Sequence, residues 1–458
     1  MPTNNKKSAA KFFSCLPRPK TILAFALGAA AWQLFTSARR LWVQPGLSLR
    51  QPTPPIMAGL PQTDMALRIA SANVRAGIEE RHLPDGRRVQ VLCAGWRNFR
   101  EPWARDFGFA SYGLIELDEI RTLKETLGLF FHYQKPDGQF PVKIHSTSVV
   151  TRYFYSLLDR QQPITSPLHP KYKTAHHTVS YDGNALLVIA ALNYMCHYED
   201  EAFAGRHWEQ IKQAFYWLEN KAKDDTGLLY QSAYTDWADS VIRKGHIHYT
   251  NVLYWRAADR LAEAAKRYGR PEDAAYFSAK TDHLRRMITS YFWQEDLGFF
   301  STSHKFYDIL SSDGNLLAIA WGLTTPKQAD SILDKMEIFD MADPVPTKPA
   351  NRSYGRANIA WENWLGGIGH YHTSAAWLWL GSWHVIALTR VGRLDEARTL
   401  LERMQAVIIR DGVVHEVYNT DGRPLKTFWY ESEAPLTWSA SMFVYAWSVY
   451  QRRLEIRD

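Results

Sequence analysis

The 458-residue chain has three cysteines, Cys15, Cys93 and Cys196, with no CxxC pair among them. That scarcity excludes a disulfide framework and a thiolate metal or redox motif. The chain also lacks a phosphate-binding glycine loop, a dinucleotide fingerprint and a nucleophile elbow, so no cofactor is implied. His246 and His248 lie two apart, but two ligands without a third make no metal site, and ordinary hydrogen-bonding histidines are expected there. A composition of 46% hydrophobic and 22% charged residues excludes intrinsic disorder, collagen and coiled coil. Acid is missing altogether from residues 1–50, which hold eight of the 54 Lys and Arg residues. Residues 51–458 are therefore left with 46 bases against 47 acids. The formal charge of +7 belongs to one end, and the nearly neutral remainder argues against a nucleic-acid partner.

The basic leader contains eighteen uncharged residues between Lys20 and Arg39, with an apolar heart from Ile22 to Trp32. This run is near the lower length limit for a membrane span, roughly 17 residues. It also fits the apolar region of a secretory signal followed by Thr36-Ser37-Ala38. Residues 1–44 read as a signal, anchor or transit segment, with membrane association through residues 21–38. A membrane-anchored or exported protein is the leading expectation for location; an organelle-targeted or cytoplasmic one is the alternative. The Pro-rich stretch 45–63 reads as a linker to a single domain over 64–458.

What the body has in abundance is helical periodicity, with no convincing series of alternating strands. Six segments are apolar on nearly every face and start at a polar or aromatic signature: after Trp103-Ala-Arg-Asp106, Ser180-Tyr-Asp-Gly-Asn184, His246 to Asn251, Ser312-Asp-Gly-Asn315, His370 to Ser374, and Thr437-Trp-Ser439. Six others are amphipathic, at roughly 64–82, 118–133, 201–222, 271–292, 326–336 and 393–409. Alternation of buried and half-buried helices predicts an all-α (α/α)6 toroid, with an inner ring wrapped by an outer one. An open solenoid of stacked hairpins is the architectural alternative. In the toroid the polar signatures gather where the inner helices begin, so residues distant in sequence share one pocket. Each Asp, Asn, Ser or Thr at those starts also serves as a helix N-cap.

The signatures resemble, in order, the motifs of six-hairpin glycosidases, notably alkaline and neutral invertases and the glucosidase half of glycogen debranching enzymes. Trp103-Ala-Arg-Asp106 resembles the family's WxRD segment, and Gln134-Lys-Pro-Asp-Gly-Gln-Phe-Pro141 its QxxDGxxP loop. Val179 to Leu187 is similar to the segment around VDSGLWW, and Thr235-Asp-Trp-Ala-Asp239 to the TWMD segment that holds the general acid. Tyr371-His-Thr-Ser-Ala-Ala-Trp377 resembles YHNGxxW, with Thr373 and Ser374 in place of Asn-Gly. Val414 to Gly422, followed by Leu436-Thr-Trp-Ser439, resembles the PEYYDxxTG and QTWS pair, whose glutamate is the base.

The resemblance implies an inverting glycosidase acting on a small α-linked sugar, an α-glucoside or sucrose. Such a reaction needs one protonated and one ionised carboxyl. Asp239 and Glu416 are the expected acid and base. Trp237 and Tyr234 near Asp239 would raise its pKa, and a polar loop around Glu416 would keep that group ionised. Asp236 competes with Asp239 for the acid's role. Arg105 and Asp106 suit vicinal sugar hydroxyls, and Trp103, Asp182, His372 and Trp438 are further candidates for hydrogen bonding or stacking. A lyase or isomerase on the same scaffold, and a non-catalytic membrane-anchored carbohydrate-binding protein, are the alternatives.

Overall fold

The computed structural model of the protein describes residues 61–148, 155, 160–222 and 224–456. All lie in the unit Pro54–Asp458. The leader and most of the linker fall outside the described residues; among the described residues no helix is long and apolar enough to cross a membrane.

Six helices are buried around most of their circumference: α2 (Ala104–Glu116), α4 (Tyr181–Tyr198), α6 (His248–Arg267), α8 (Ser312–Ala320), α11 (Leu378–Val391) and α13 (Thr437–Glu455). Each packs on the next, and α13 packs on α2, so the inner ring returns to its start. Outside them lie α1 (Gln62–Ala76), α3 (Ile120–His132), α5 (Glu201–Glu219), α7 (Pro271–Phe292), α9 (Pro326–Ile338) and α12 (Leu394–Asp411). These bury one stripe each, as a half-buried helix with a charged outer face must. The short α10 (Trp361–Leu365) lies in the loop before α11. The all-α toroid is the observed architecture.

The strands are the departure from expectation. The first amphipathic segment does not run to residue 82. Helix α1 stops at Ala76, and β1 (Ile78–His82) pairs antiparallel with β2 (Arg88–Leu92) across a turn with Gly86 at φ +84°. Pro84-Asp85-Gly86 supplies that turn, and the alternation of Arg88-Val-Gln-Val-Leu92 suits a strand. Two further small sheets, β3 (Lys143–His145) with β4 (His169–Lys171), and β5 (Trp293–Gln294) with β6 (Phe299–Ser303) and β7 (Phe306–Leu310), lie in the connections.

Glycines set the spacing within the inner ring. A Cβ on Gly108 of α2 would stand 2.5 Å from the Leu186 Cβ of α4, and one on Gly113 would collide with the Ser441 backbone of α13. Only hydrogen at those positions lets the helices approach so closely.

Candidate active site

The start of α2 is fixed by its neighbours. Trp103 is extended (φ −103°, ψ 134°), Ala104 N–H donates to the Val142 carbonyl at 3.0 Å, and Ile144 N–H to that of Pro102 at 3.0 Å. Arg105 and Asp106 therefore fall in the first helical turn. From the start of α4, Asp182 accepts two bonds from Arg105, Nε to Oδ2 at 2.5 Å and Nη2 to Oδ1 at 3.2 Å. The Ser180 hydroxyl and Gly183 N–H also donate to Asp182, at 2.5 and 2.8 Å. Asp182 is fully buried and fully engaged, so its work is to aim the guanidinium, which keeps 12% of its side chain exposed.

Asp239 comes from the loop between α5 and α6. That loop is bolted from below. Asp236 accepts from Ala238 N–H at 3.0 Å, Gln231 Nε2 at 2.8 Å and Arg243 Nε at 3.1 Å, and Arg243 also pairs with Asp313 at 2.9 Å. Trp237 Nε1 donates to the same Asp313. With Asp236 and Trp237 held inward, Asp239 is turned to solvent. Its carboxyl nevertheless has protein atoms packed closely around it. Burial pushes its carboxyl up to about 6, against the pull of Arg105 and with the added repulsion of Asp236, Asp182 and Glu416. Among the described residues nothing hydrogen-bonds to it or pairs with it.

Glu416 lies in the irregular segment between α12 and α13. Its N–H donates to the Glu433 carbonyl at 2.8 Å, and Glu433 N–H donates back to Oε2 at 3.1 Å. Tyr371 donates to Oε1 at 2.5 Å and Tyr430 to Oε2 at 2.7 Å. Glu416 is buried, and the polar surroundings expected of it come from two phenols and an amide. Burial raises its pKa, while those three donors favour the ionised form and oppose the rise.

Asp106 is half-buried and is pushed up to about 7 by burial, against Arg105 and with the repulsion of Glu416 and Asp182. The mutual fields of Arg105, Asp106, Asp182, Asp239 and Glu416 mark one site drawn from four distant segments. The other candidates sit around it in supporting contacts. His372 hydrogen-bonds Ser240 at 2.6 Å through Nδ1, stacks on Trp377 at 5.5 Å and is held neutral by burial. Trp438 is buried between Phe109, parallel at 5.3 Å, and Trp379 at 4.5 Å. The Trp103 ring lies under the Lys143 ammonium at 4.5 Å. His246 hydrogen-bonds Asp224 and the Leu229 carbonyl, whereas His248, against expectation, makes no hydrogen bond and stacks on Phe300; among the described residues no three His, Cys, Asp or Glu side chains gather as a metal site.

Sequence reasoning missed Tyr371, Tyr430, Arg243 and Asp313. Tyr371 adjoins His372 in its motif, and Asp313 repeats the Ser-x-Asp-Gly-Asn pattern of 180–184; Arg243 and Tyr430 carry no local signal. A cavity of about 450 Å³ beside the β1–β2 hairpin, lined by Glu79, Arg81, Arg100 and Ser146 among others, contains none of these carboxylates.

Residues 138–341 match the family model of the bacterial α-L-rhamnosidase six-hairpin glycosidase domain. No curated protein matches the sequence. Among solved structures, a rhamnosidase from Klebsiella oxytoca with rhamnose bound is similar at 15% identity, with a TM-score of 0.63, over 86% of this chain and 64% of that one. This chain thus spans less than two thirds of that relative's length. A GH63 mannosylglycerate hydrolase from Thermus thermophilus, in complex with Tris and D-glycerate, aligns at 14% identity, with a TM-score of 0.59, over 85% of this chain and 100% of that one. The same hydrolase in complex with glucose aligns at 14% identity and a TM-score of 0.58, with the same coverage of both chains.

Proposed function

We propose that this chain, built on the six-hairpin glycosidase fold, hydrolyses an α-linked, uncharged sugar with inversion, Asp239 acting as the acid and Glu416 as the base. The observation that carries this reading is the contrast between the two carboxyls. Asp239 is open to the mouth, unpartnered among the described residues and raised to about 6, which suits a group that must arrive protonated. Glu416 is gripped by Tyr371, Tyr430 and an amide, which suits a group that must arrive ionised.

In the proposed reaction Asp239 gives its proton to the leaving oxygen as the glycosidic bond breaks. Glu416 takes a proton from a water that attacks the anomeric carbon from the other face. Inverting enzymes hold such carboxyls ~6.5–9.5 Å apart to admit that water. Arg105, aimed by Asp182, and Asp106 bind ring hydroxyls. Asp236 does not compete as the acid, because its oxygens are already committed to Gln231, Arg243 and a backbone amide. Three carboxyls against one guanidinium already paired favour a neutral sugar over a uronate. An α-glucoside is the first substrate to test, and an α-L-rhamnoside is second, on the strength of the family match. The apolar run 21–38 supports attachment of the domain to a membrane.

A glycoside panel with Glu416→Gln and NMR of the first-formed anomer tests the reading. Loss of about 10²–10⁴ in kcat and an inverted product are expected. Unchanged turnover, or a retained configuration, overturns the roles. No turnover by the wild type on any glycoside favours a lyase, an isomerase or a sugar-binding protein instead.

A further inference from the structure

Large side chains are concentrated on one rim of the candidate site. Helix α10 exposes Trp361 at 57%, Trp364 at 44% and Leu365 at 60%, and the loop 427–430 adds Phe428 and Trp429 at 50% each. Contiguous exposed apolar surface of this kind marks a binding site more often than chance.

The placement of α10 gives the patch its meaning. On one side Ala360 N–H donates to the carbonyl of Ser240 at 2.8 Å, Ile242 N–H donates to that of Asn358 at 2.7 Å, and Ser240 directly follows Asp239. On the other side Thr427 Oγ donates to the carbonyl of Gly366 at 2.8 Å, and Tyr430 N–H donates to Thr427 Oγ at 3.0 Å. Tyr430 in turn holds Glu416. The helix thus joins the loop of the proposed acid to the loop of the proposed base.

The platform is also braced. Ile368 N–H closes back on the Asn363 carbonyl at 2.8 Å, the Arg356 guanidinium lies 5.5 Å over the Trp364 ring, and a Cβ on Gly369 would come within 2.6 Å of that indole.

We propose that Trp361, backed by the braced Trp364, forms a leaving-group subsite, on which a second sugar ring stacks beyond the scissile bond. This rests on the hydrolase reading and narrows it: the substrate carries at least one more sugar on the departing side. Flat indole faces match the C–H face of a pyranose, while Glu362, Asn363 and Arg356 around them offer partners to its hydroxyls. An anionic membrane surface is a poorer occupant, because Glu362 and Glu431 are interleaved with the aromatics.

The test compares wild type with Trp361→Ala and Trp361→Ala/Trp364→Ala on two probes, α-glucosyl fluoride, whose leaving group has no ring, and maltotriose. If the panel assigns rhamnose, α-L-rhamnosyl fluoride and an α-L-rhamnosyl disaccharide replace them. The ratio of kcat/KM on the saccharide to that on the fluoride is expected to fall about 10-fold in the double variant. An unchanged ratio in variants with wild-type circular dichroism overturns the subsite. If wild type turns over no glycoside of the panel, the hydrolase reading fails by itself, and calorimetric titration of maltotriose then decides. Binding lost in the double variant supports the stacking role, and binding absent from wild type or equal in both overturns it. Loss of self-association in the double variant, seen by sedimentation with the ratio intact, assigns the patch to a second copy of the chain and overturns the proposal.

Discussion

The same five-residue device starts two inner helices and ends in two different roles. At 180–184 and at 311–315 a Ser-x-Asp-Gly-Asn segment folds alike: the serine hydroxyl and the glycine N–H both donate to one aspartate oxygen, and the aspartate binds an arginine. In both, the asparagine accepts a backbone N–H from a preceding segment, Phe140 at 2.7 Å and Phe300 at 3.0 Å. The difference lies in the arginines. Arg105 faces one buried aspartate and keeps an edge in the mouth, whereas Arg243 is 1% exposed between Asp236 and Asp313. A local folding motif thus decides where a charge stands, and the packing above it decides whether that charge reaches solvent.

Removing the arginines should separate the two roles. Arg243→Met strands Asp236 and Asp313 in the interior, and a loss of about 3–5 kcal/mol is expected in denaturant unfolding. Arg105→Met strands only Asp182, which keeps its serine and amide donors beside an open mouth. A cost of about 1–2 kcal/mol is expected there, with a fall of at least about 100-fold in kcat/KM. Equal destabilisation by the two variants would break the comparison.

A second contrast, between the two carboxyls of the proposed reaction, is sharpened by pH. Asp239 must be protonated to act, so kcat/KM is expected to decline as pH rises through about 6. Glu416 must be ionised, so the acid limb belongs to it. Shortening its phenol grip with Tyr371→Phe and Tyr430→Phe should move that limb to higher pH, because two donors to the charged form are gone. A stationary acid limb in the double variant would remove the tyrosines from the mechanism.

The smallest effect concerns stability alone. The folded pKa of Asp106 is raised to about 7 by burial, above the unfolded value. Between about pH 4 and 7 the folded state therefore holds a proton that the unfolded chain releases. Its stabilising contribution is complete below that window and is lost as pH rises through about 7. Asp106→Asn should match wild type in Tm at pH 4 and exceed it by about 1–3 °C at pH 8. Equal Tm values at both pH values would place Asp106 in a solvated setting.

The two helix classes were legible because burial leaves a direct trace: Ala185 to Leu192 is apolar on every face, whereas α12 alternates Asp395, Glu396 and Arg403 with Leu400 and Met404. The amphipathic pattern expected over 64–82 ends early because the turn at Pro84-Asp85-Gly86 folds Ile78–His82 into a strand. Arg105, Asp106 and Asp182 could be named because they open inner helices and the ring brings those openings together. The phenols on Glu416 could not, since Tyr371 and Tyr430 reach it only through tertiary contact. The burial of Glu416 was hidden for a related reason: its backbone pairing with Glu433, seventeen residues on, leaves no periodic trace in so short a segment.

The return of the ring to its start also bears on how the protein is made. Thr437 Oγ, at the head of α13, donates to the Cys93 carbonyl at 2.7 Å, and Val414 N–H donates to Asn73 Oδ1 at 2.7 Å. Segments around residues 73 and 93 are thus completed by segments translated more than 300 residues later. A nascent chain still awaiting α13 would leave the gap between α11 and α2 unfilled and the Cys93 carbonyl without its Thr437 donor, so the inner ring should close in a single late step of synthesis.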